Sequence, residues 1–574
     1  MFGKVLDDTE KLIDKIDETH PVKIYKHIKM VYHLAMYYGY QFYTISANKT
    51  QLGEDIENAY ARSDYNLLGG LIDVFVSKML KDNPIPQVYP ISFDNEDIQA
   101  ARLSDIALEY WWKKENLSHF LYEVVRWAAI TGTGIGKVFF NKDKGLRINV
   151  GEEWIGEGEV VAQVVNPFGF FPDPSARKLS EARWVAHCYV QPVEAVKKTF
   201  KEKAKSLKGE KNIEGYRNIL SSYTGDYTDI RNDEAVFNED MCVVREYWER
   251  GVEGHDAGFG EGKGRLLIRA NGIELYDGEN PKGEKLPFFV LAVKKPMDSF
   301  WGRGLVEPLV TAQMDLNRIN SQIMENIDLM ANIWIGVPIG GETNPELLAP
   351  FSAVKVPYDP DIGPPHGIPL TPIPAHVLHQ RDSIIKHMMD IIGIHEVSMA
   401  QLPIRGSQMS GRALHELVEA EAVRHATEVN NLKVFVEEVA RTYIEEAQEH
   451  YQTKRLASII GQNRGVEIEE FIGADLRGRK DTPSFHNYDV EVGGGFGLSS
   501  ASKAEQLLML YDRKIIQDPN EVIRHLEFST IRKFFYQSNM AENKANRHLK
   551  RILEEGIIPE ISGYDNHRIH IKVF

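Results

Sequence analysis

The hexapeptide Gly132-Thr133-Gly134-Ile135-Gly136-Lys137 carries the residue types of a phosphate-binding loop. Glycines let backbone N–H groups close on an anion, and a lysine neutralises it. The spacing argues otherwise. A P-loop needs glycine five positions before the last glycine and Ser or Thr after the lysine, where Thr131 and Val138 stand. The flanking patterns predict helix before and strand after, so no helix N-terminus would face a phosphate. A glycine-rich turn is the simpler reading.

Three other constellations fail in the same way. His415-Glu416 opens like a zinc-protease signature, but Glu419 replaces the second histidine and His425 is ten residues from His415. His376, His379 and His387 share one predicted helix, with no carboxylate or cysteine cluster to complete a metal site. Gly493-Gly494-Gly495-Phe496-Gly497 follows a predicted strand without dinucleotide-fingerprint spacing. No Ser/His/Asp or Cys/His set can be assembled. The expectation is no catalytic site, no cofactor and no metal.

Composition sets the frame for these residues. The chain has 574 residues, 43% apolar and 26% charged, which predicts a globular protein of several domains. Two cysteines, Cys188 and Cys242, exclude a disulfide framework and fit assembly in a reducing cytoplasm. The charged first twenty residues do not resemble a signal peptide, and no apolar run predicts a membrane span. A formal charge of −16 argues against a DNA reader with a broad basic face, though not against a protein that encloses DNA without gripping it.

The periodicities predict a mixed α+β chain without an internal repeat. Helices are expected at 64–80, 95–112 and 117–130. Short strands follow at 136–141, 145–150, 160–165, 183–190, 242–249, 265–269 and 288–294. A helix at 193–208 carries Lys197, Lys198, Lys201, Lys203, Lys205 and Lys208, diluted by Glu194 and Glu202, and reads as a solvated face. Helix 304–331 has one apolar seam and an opposite polar face of Gln313, Asn317, Asn320, Ser321 and Asn326. A Pro/Gly-rich stretch at 335–374, a helix at 375–392 and a loop at 395–410 come next. Then 411–450, with glycine only at its start and no proline, predicts one helix of about 40 residues, on the order of 60 Å long. Strand 488–492 and helices at 502–510, 519–526 and 540–555 complete the reading.

The order of these elements and several short motifs resemble the portal proteins of tailed bacteriophages. Tyr65-Asn66-Leu67-Leu68, Asn83-Pro84-Ile85-Pro86 and the extended 88–90 look like the opening of a portal wing. So do Asn166-Pro167-Phe168, Phe171-Pro172-Asp173-Pro174-Ser175-Ala176 and Ala182-Arg183-Trp184-Val185. Pro287-Phe288-Phe289 and Phe300-Trp301-Gly302-Arg303-Gly304 lead into a helix with Gln313, Leu316 and Asn317, as in the family. Ser410-Gly411-Arg412-Ala413-Leu414 opens the long helix, and 490–505 resembles the approach to the crown. The resemblance covers roughly 60–525.

The resemblance implies an α/β wing (1–303), stem helices (304–331 and 375–394) and a small α/β clip (332–374). It also implies a tunnel loop (395–410), a long helix with wing return (411–500) and a helical crown (501–574). It implies a homo-oligomeric ring, usually of twelve subunits, at one capsid vertex, conducting double-stranded DNA without sequence specificity. Terminase large subunit, head–tail adaptor, major capsid and scaffolding proteins would be its partners, with assembly in the host cytoplasm and residence in the virion. Gln401, Arg405, Ser407, Gln408 and Arg412 would lie near DNA, and Gln313, Asn317, Asn320 and Ser321 would line the channel wall. Arg405 and Arg412 equally suit ion pairs between subunits. Another virion structural component, such as a different connector or scaffold-associated protein, is the alternative. ATP hydrolysis abolished by Lys137→Ala would instead indicate an enzyme.

Overall fold

The computed structural model describes residues 26–52, 65–209, 241–331 and 423–478 with short gaps. It also describes 334–336, 361, 366–368, 372–394, 488–492 and isolated positions beyond. The architecture is mixed α+β, as expected. A helix at 26–37 (α1) precedes the hairpin of β1 (Tyr43–Ile45) and β2 (Thr50–Leu52). Helix α2 (Leu67–Met79) starts where the Asn66 side chain accepts a hydrogen bond from the Gly69 N–H at 3.0 Å. That contact satisfies one of the helix's free donors. Strand β3 (Pro86–Pro90), α3 (Asn95–Lys114) and α4 (Leu117–Thr131) follow.

Helix α4 buries Leu117, Phe120, Leu121, Val124, Val125 and Ala128, at helical spacing, and stops at Gly132, whose φ of +97° suits glycine. The glycine-rich hexapeptide is thus a helix cap running straight into β4 (Thr133–Asn141). A hairpin of β5 (Arg147–Val150) and β6 (Glu153–Gly156) leads to β7 (Glu159–Val165). Next come β8 (Phe170–Pro172), β9 (Trp184–Pro192) and α5 (Val193–Phe200). Beyond them stand β10 (Met241–Glu249), β11 (Arg265–Ala270), β12 (Ile273–Glu279) and β13 (Phe288–Ala292). They make a three-stranded sheet, β13-β4-β7, and a five-stranded one, β12-β11-β10-β9-β8.

Strand alternation makes the small sheet a middle layer. Phe288 pairs with Lys137 and Phe289 with Gly136. Phe288 packs edge-on against Phe170, His187 and Trp248 of the five-stranded sheet. Its neighbour Phe289 meets Phe435 on the opposite face. At Gly136 an added Cβ would lie 2.7 Å from Phe120 and 3.3 Å from Phe435, so glycine there lets the helices close on the strand.

The helices after the sheets are α6 (Val306–Ala331), α7 (Ala375–Ile392) and α8 (Ala426–His450), with strands β14 (Trp334–Gly336) and β15 (His366–Ile368) paired antiparallel between α6 and α7. The apolar face of α8 (Phe435, Val436, Val439, Tyr443) completes the core, and Tyr443 stacks on Trp111 at 4.2 Å. Hairpin β16 (Arg455–Ile460) and β17 (Val466–Phe471) follows, and β18 (Tyr488–Val492) returns to pair with β3.

The fold departs from the sequence reading at several points. Helix 193–208 breaks at Lys201 into a 3-10 turn, Lys201–Ala204. Strand β12 was not read from the sequence. The helix expected over 411–450 is described only from 423, and a turn at His425, whose ring meets Phe75 at 5.3 Å, separates Val423-Arg424 from α8. Positions 411–422 and the expected crown helices lie outside the described residues, as do His415, Glu416, Glu419 and 493–497.

Candidate functional site

The start of α6 is fixed by a crossing of two backbones. An added Cβ at Gly302 would sit 2.0 Å from the Gly132 carbonyl oxygen, so only glycine allows the approach. The Gly302 N–H donates to Thr133 Oγ1 at 2.9 Å, and the Leu305 N–H to the Ala129 carbonyl at 2.8 Å. The Trp301-Gly302-Arg303-Gly304 motif therefore clips α6 onto the end of α4.

From that anchor α6 leaves the core. Val306, Leu309 and Leu316 are buried, whereas Met324, Ile327 and Met330 are 44–49% exposed. Helix α7 reverses the gradient: Leu378 is 41% exposed and Met388, Met389 and Ile392 are buried. One helix goes out and the other returns, packed on each other, with the β14–β15 pair between them in the chain. Gly393, at φ +79°, ends α7 in a left-handed cap, and Met389 O accepts its N–H at 2.9 Å.

A chain of carboxamides holds the base of α6. Gln313 Nε2 donates to the Tyr65 carbonyl (2.7 Å) and to Asn317 Oδ1 (2.9 Å), while Gln313 Oε1 accepts from the Leu68 N–H (3.0 Å). Asn317 Nδ2 donates to Gln41 Oε1, and Gln41 Nε2 to Asn66 Oδ1 at 3.1 Å. Asn66 Nδ2 ends the relay on the Tyr37 carbonyl at 2.8 Å. Each amide donates to the next acceptor, so buried polar groups are matched rather than stranded.

This corrects the polar-face reading at two positions. Gln313 (0% exposed) and Asn317 (3%) do not face water; they are covered by α2 and the segment after α1. Asn320 and Ser321 are half-buried, and Ser321 Oγ donates to the Asn317 carbonyl at 2.8 Å. The exposed polar positions of the helix are Thr311, Asp315, Arg318, Gln322 and Asp328. Gln401, Arg405, Ser407, Gln408 and Arg412 lie outside the described residues. Gln41 carries no signal in the sequence; Asn66 falls inside the helix expected at 64–80, although an Asn before an apolar run is a cap signal, and the structure makes it the N-cap of α2.

Beside the relay, Glu307 in the first turn of α6 faces Lys29 (3.5 Å) and Arg303 (3.2 Å), an acidic group suited to a helix N-terminus. His33 is buried against this cluster. Burial pushes its imidazole down to about 4, against the pull of Glu307 and a hydrogen bond to the Ile130 backbone. A depressed histidine disfavours the fold as pH falls, because the unfolded chain gains the proton first. Stability should therefore be complete above the unfolded value of 6.5 and fall by about 3 kcal/mol as pH drops to about 4. Urea unfolding of His33→Gln should show a flatter pH dependence in that window. The same slope as the unsubstituted chain would refute this assignment.

Lys137 is not open to a ligand. Its ammonium pairs with Glu246 at 2.6 Å, both side chains 7% exposed, between the two sheets. His376, His379 and His387 are exposed on α7. Among the described residues no group of three or more His, Cys, Asp or Glu side chains could hold a metal ion. Nor, among them, is any helix long and apolar enough to cross a membrane.

The geometry defines a class: a body of sheets and helices that holds a helical hairpin outward on a polar clamp. Residues 268–492, which contain α6, the β14–β15 pair, α7 and α8, match the family described as Phage P22-like portal protein. That match identifies this stretch as phage portal sequence, the family to which the ordered motifs pointed. No match was found among curated proteins.

Proposed function

We propose that copies of this chain close into a ring at one capsid vertex, with α6 and α7 of each copy forming the wall of a DNA channel. The observation that carries this reading is the outward hairpin whose far half leaves Met324, Ile327, Met330 and Leu378 uncovered within one chain. Ring closure joins unlike faces of identical subunits, and such a stripe supplies one of them. The water-facing wall is then drawn from Asp315, Arg318, Gln322 and Asp328 rather than from Gln313 and Asn317. Its mixed charge lets a duplex slide without being gripped.

In this role the 332–374 insertion is the docking surface for the terminase large subunit during packaging and for the head–tail adaptor afterwards. The body contacts major capsid and scaffolding proteins, and the finished ring resides in the virion after assembly in the host cytoplasm. The tunnel loop that the resemblance implies at 395–410, with Arg405 in it, lies outside the described residues, as does Arg412. Negative-stain microscopy of the purified chain tests the reading. Rings with a central hole wide enough for duplex DNA are expected. Monomers or closed compact oligomers at high concentration would overturn it.

A further inference from the structure

The stretch 193–208 forms a small lobe on the five-stranded sheet. Val193, Val196, Ala204 and Leu207 pack on Cys242, Val244, Ala270 and Leu275, a second core separate from the main one. With that face buried, all six lysines of the stretch, Lys197, Lys198, Lys201, Lys203, Lys205 and Lys208, are exposed. Six lysines and two glutamates give the lobe a charge of +4, so the rest of the chain, at −16 overall, carries −20. Among the described residues only Lys205 has a carboxylate in ion-pair reach, Glu202 at 3.7 Å, with both side chains largely in water. Such a pair neutralises little.

The backbone adds a second observation. Lys201 has φ +45° and ψ −114°, a conformation that L-residues seldom adopt, and it turns the chain from α5 into the 3-10 turn. Glycine would relax this position. A lysine occupies it instead.

The remaining exposed residues of the lobe, Glu194, Ala195, Thr199, Glu202 and Ser206, decide the partner. A protein interface needs an apolar or aromatic centre and is depleted in lysine, and no large apolar side chain is exposed here. Single-stranded nucleic acid needs aromatic platforms for stacked bases, and none is presented. The planar forks of Arg, Asn and Gln, which fix a base edge by two bonds in a rigid geometry, are also missing from the exposed set. What is left is a field of mobile point charges, suited to regularly spaced phosphates.

We propose that this lobe docks on the phosphate backbone of duplex DNA without reading sequence, from the five-stranded sheet rather than from the helix pair. The choice of duplex DNA as the polyanion rests on the portal reading. The test is a salt titration of full-length chain binding to a short random-sequence duplex, followed by fluorescence anisotropy. Changing Lys197, Lys198, Lys203 and Lys205 together to Gln should weaken binding. It should also flatten the log K against log salt slope by about 0.9 for each lysine that held a phosphate. The same four positions changed to Arg should retain both. An unchanged slope in the Gln variant, or no salt-dependent duplex binding by the unsubstituted chain, overturns the proposal. So does preferential binding to polyglutamate. Microscopy of the same samples separates the two readings: rings with an unchanged slope sink the lobe alone, while a flattened slope without rings sinks the portal assignment alone.

Discussion

Lys137→Met should cost about 3–5 kcal/mol of folding stability, the range for removing one partner of a buried ion pair. Glu246 sits between the sheets and accepts from Lys137 (2.6 Å), Trp248 Nε1 (2.9 Å) and Tyr189 OH (2.8 Å). Burial alone pushes its carboxyl up, but Lys137 and His187 override this and hold it well below the usual carboxylate range. Without the ammonium, burial dominates and the folded-state value rises above that of the unfolded chain. A raised carboxylate loses stability as pH climbs past its unfolded value, 4.5, whereas the unsubstituted pair keeps its stabilisation well below that pH, so the deficit of the variant should already be present near pH 4.5 and grow towards neutrality. Adding Glu246→Gln should recover part of the loss, because the amide oxygen still accepts from Trp248 and Tyr189. Urea unfolding of the single and double variants measures this. A single variant within about 1 kcal/mol of the unsubstituted protein would contradict the assigned role. A nucleotide-binding lysine behaves otherwise, since its loss would abolish hydrolysis while leaving the fold intact.

Punctuation and periodicity made much of the fold legible. Helix 375–392 was bounded by Pro374 and Gly393, and the structure has the same limits. Strands with clean turns on both sides, such as β10 and β13, were found to within two residues. The break at Lys201 was not legible, because neither proline nor glycine marks it. Strand β12 escapes the pattern because Asp277 and Glu279 fall in the register of Ile273 and Leu275 and break its apolar alternation; it is held instead by pairing to β11, with the Arg265 guanidinium on the Asp277 carboxylate at 2.8 Å. The candidate site shows the larger gap. Periodicity locates a polar face on α6 but does not say what covers it. The cover for Gln313 and Asn317 comes from residues about 250 positions earlier, Gln41, Tyr65 and Leu68. Long-range burial of amides has no local signature. By contrast, the motif 300–304 was recognised by resemblance, and its physical cause, a glycine-to-glycine crossing with Gly132, emerged only in three dimensions.

Ile327→Glu together with Met324→Glu should abolish ring formation and leave the isolated chain intact. Within one chain these side chains are 49% and 45% exposed, so a charge at either position meets water and should shift the unfolding midpoint little. In a ring the same positions would press against the neighbouring copy. Each interface would then bury two carboxylates with no assigned cation, and removing an unpaired charge from water costs several kcal/mol. The penalty recurs at every interface, because a closed ring repeats one contact around its axis. Sedimentation velocity should therefore give monomers for the double variant under conditions where the unsubstituted chain gives rings. Asp315→Ala, on the water-facing side proposed for the channel, should assemble normally. Rings formed by the glutamate variant with undiminished stability would place the subunit contact elsewhere on the molecule. Loss of the monomer fold would mean that these residues belong to its core, contrary to their exposure. Only selective loss of assembly fits the outward hairpin as the ring-forming element.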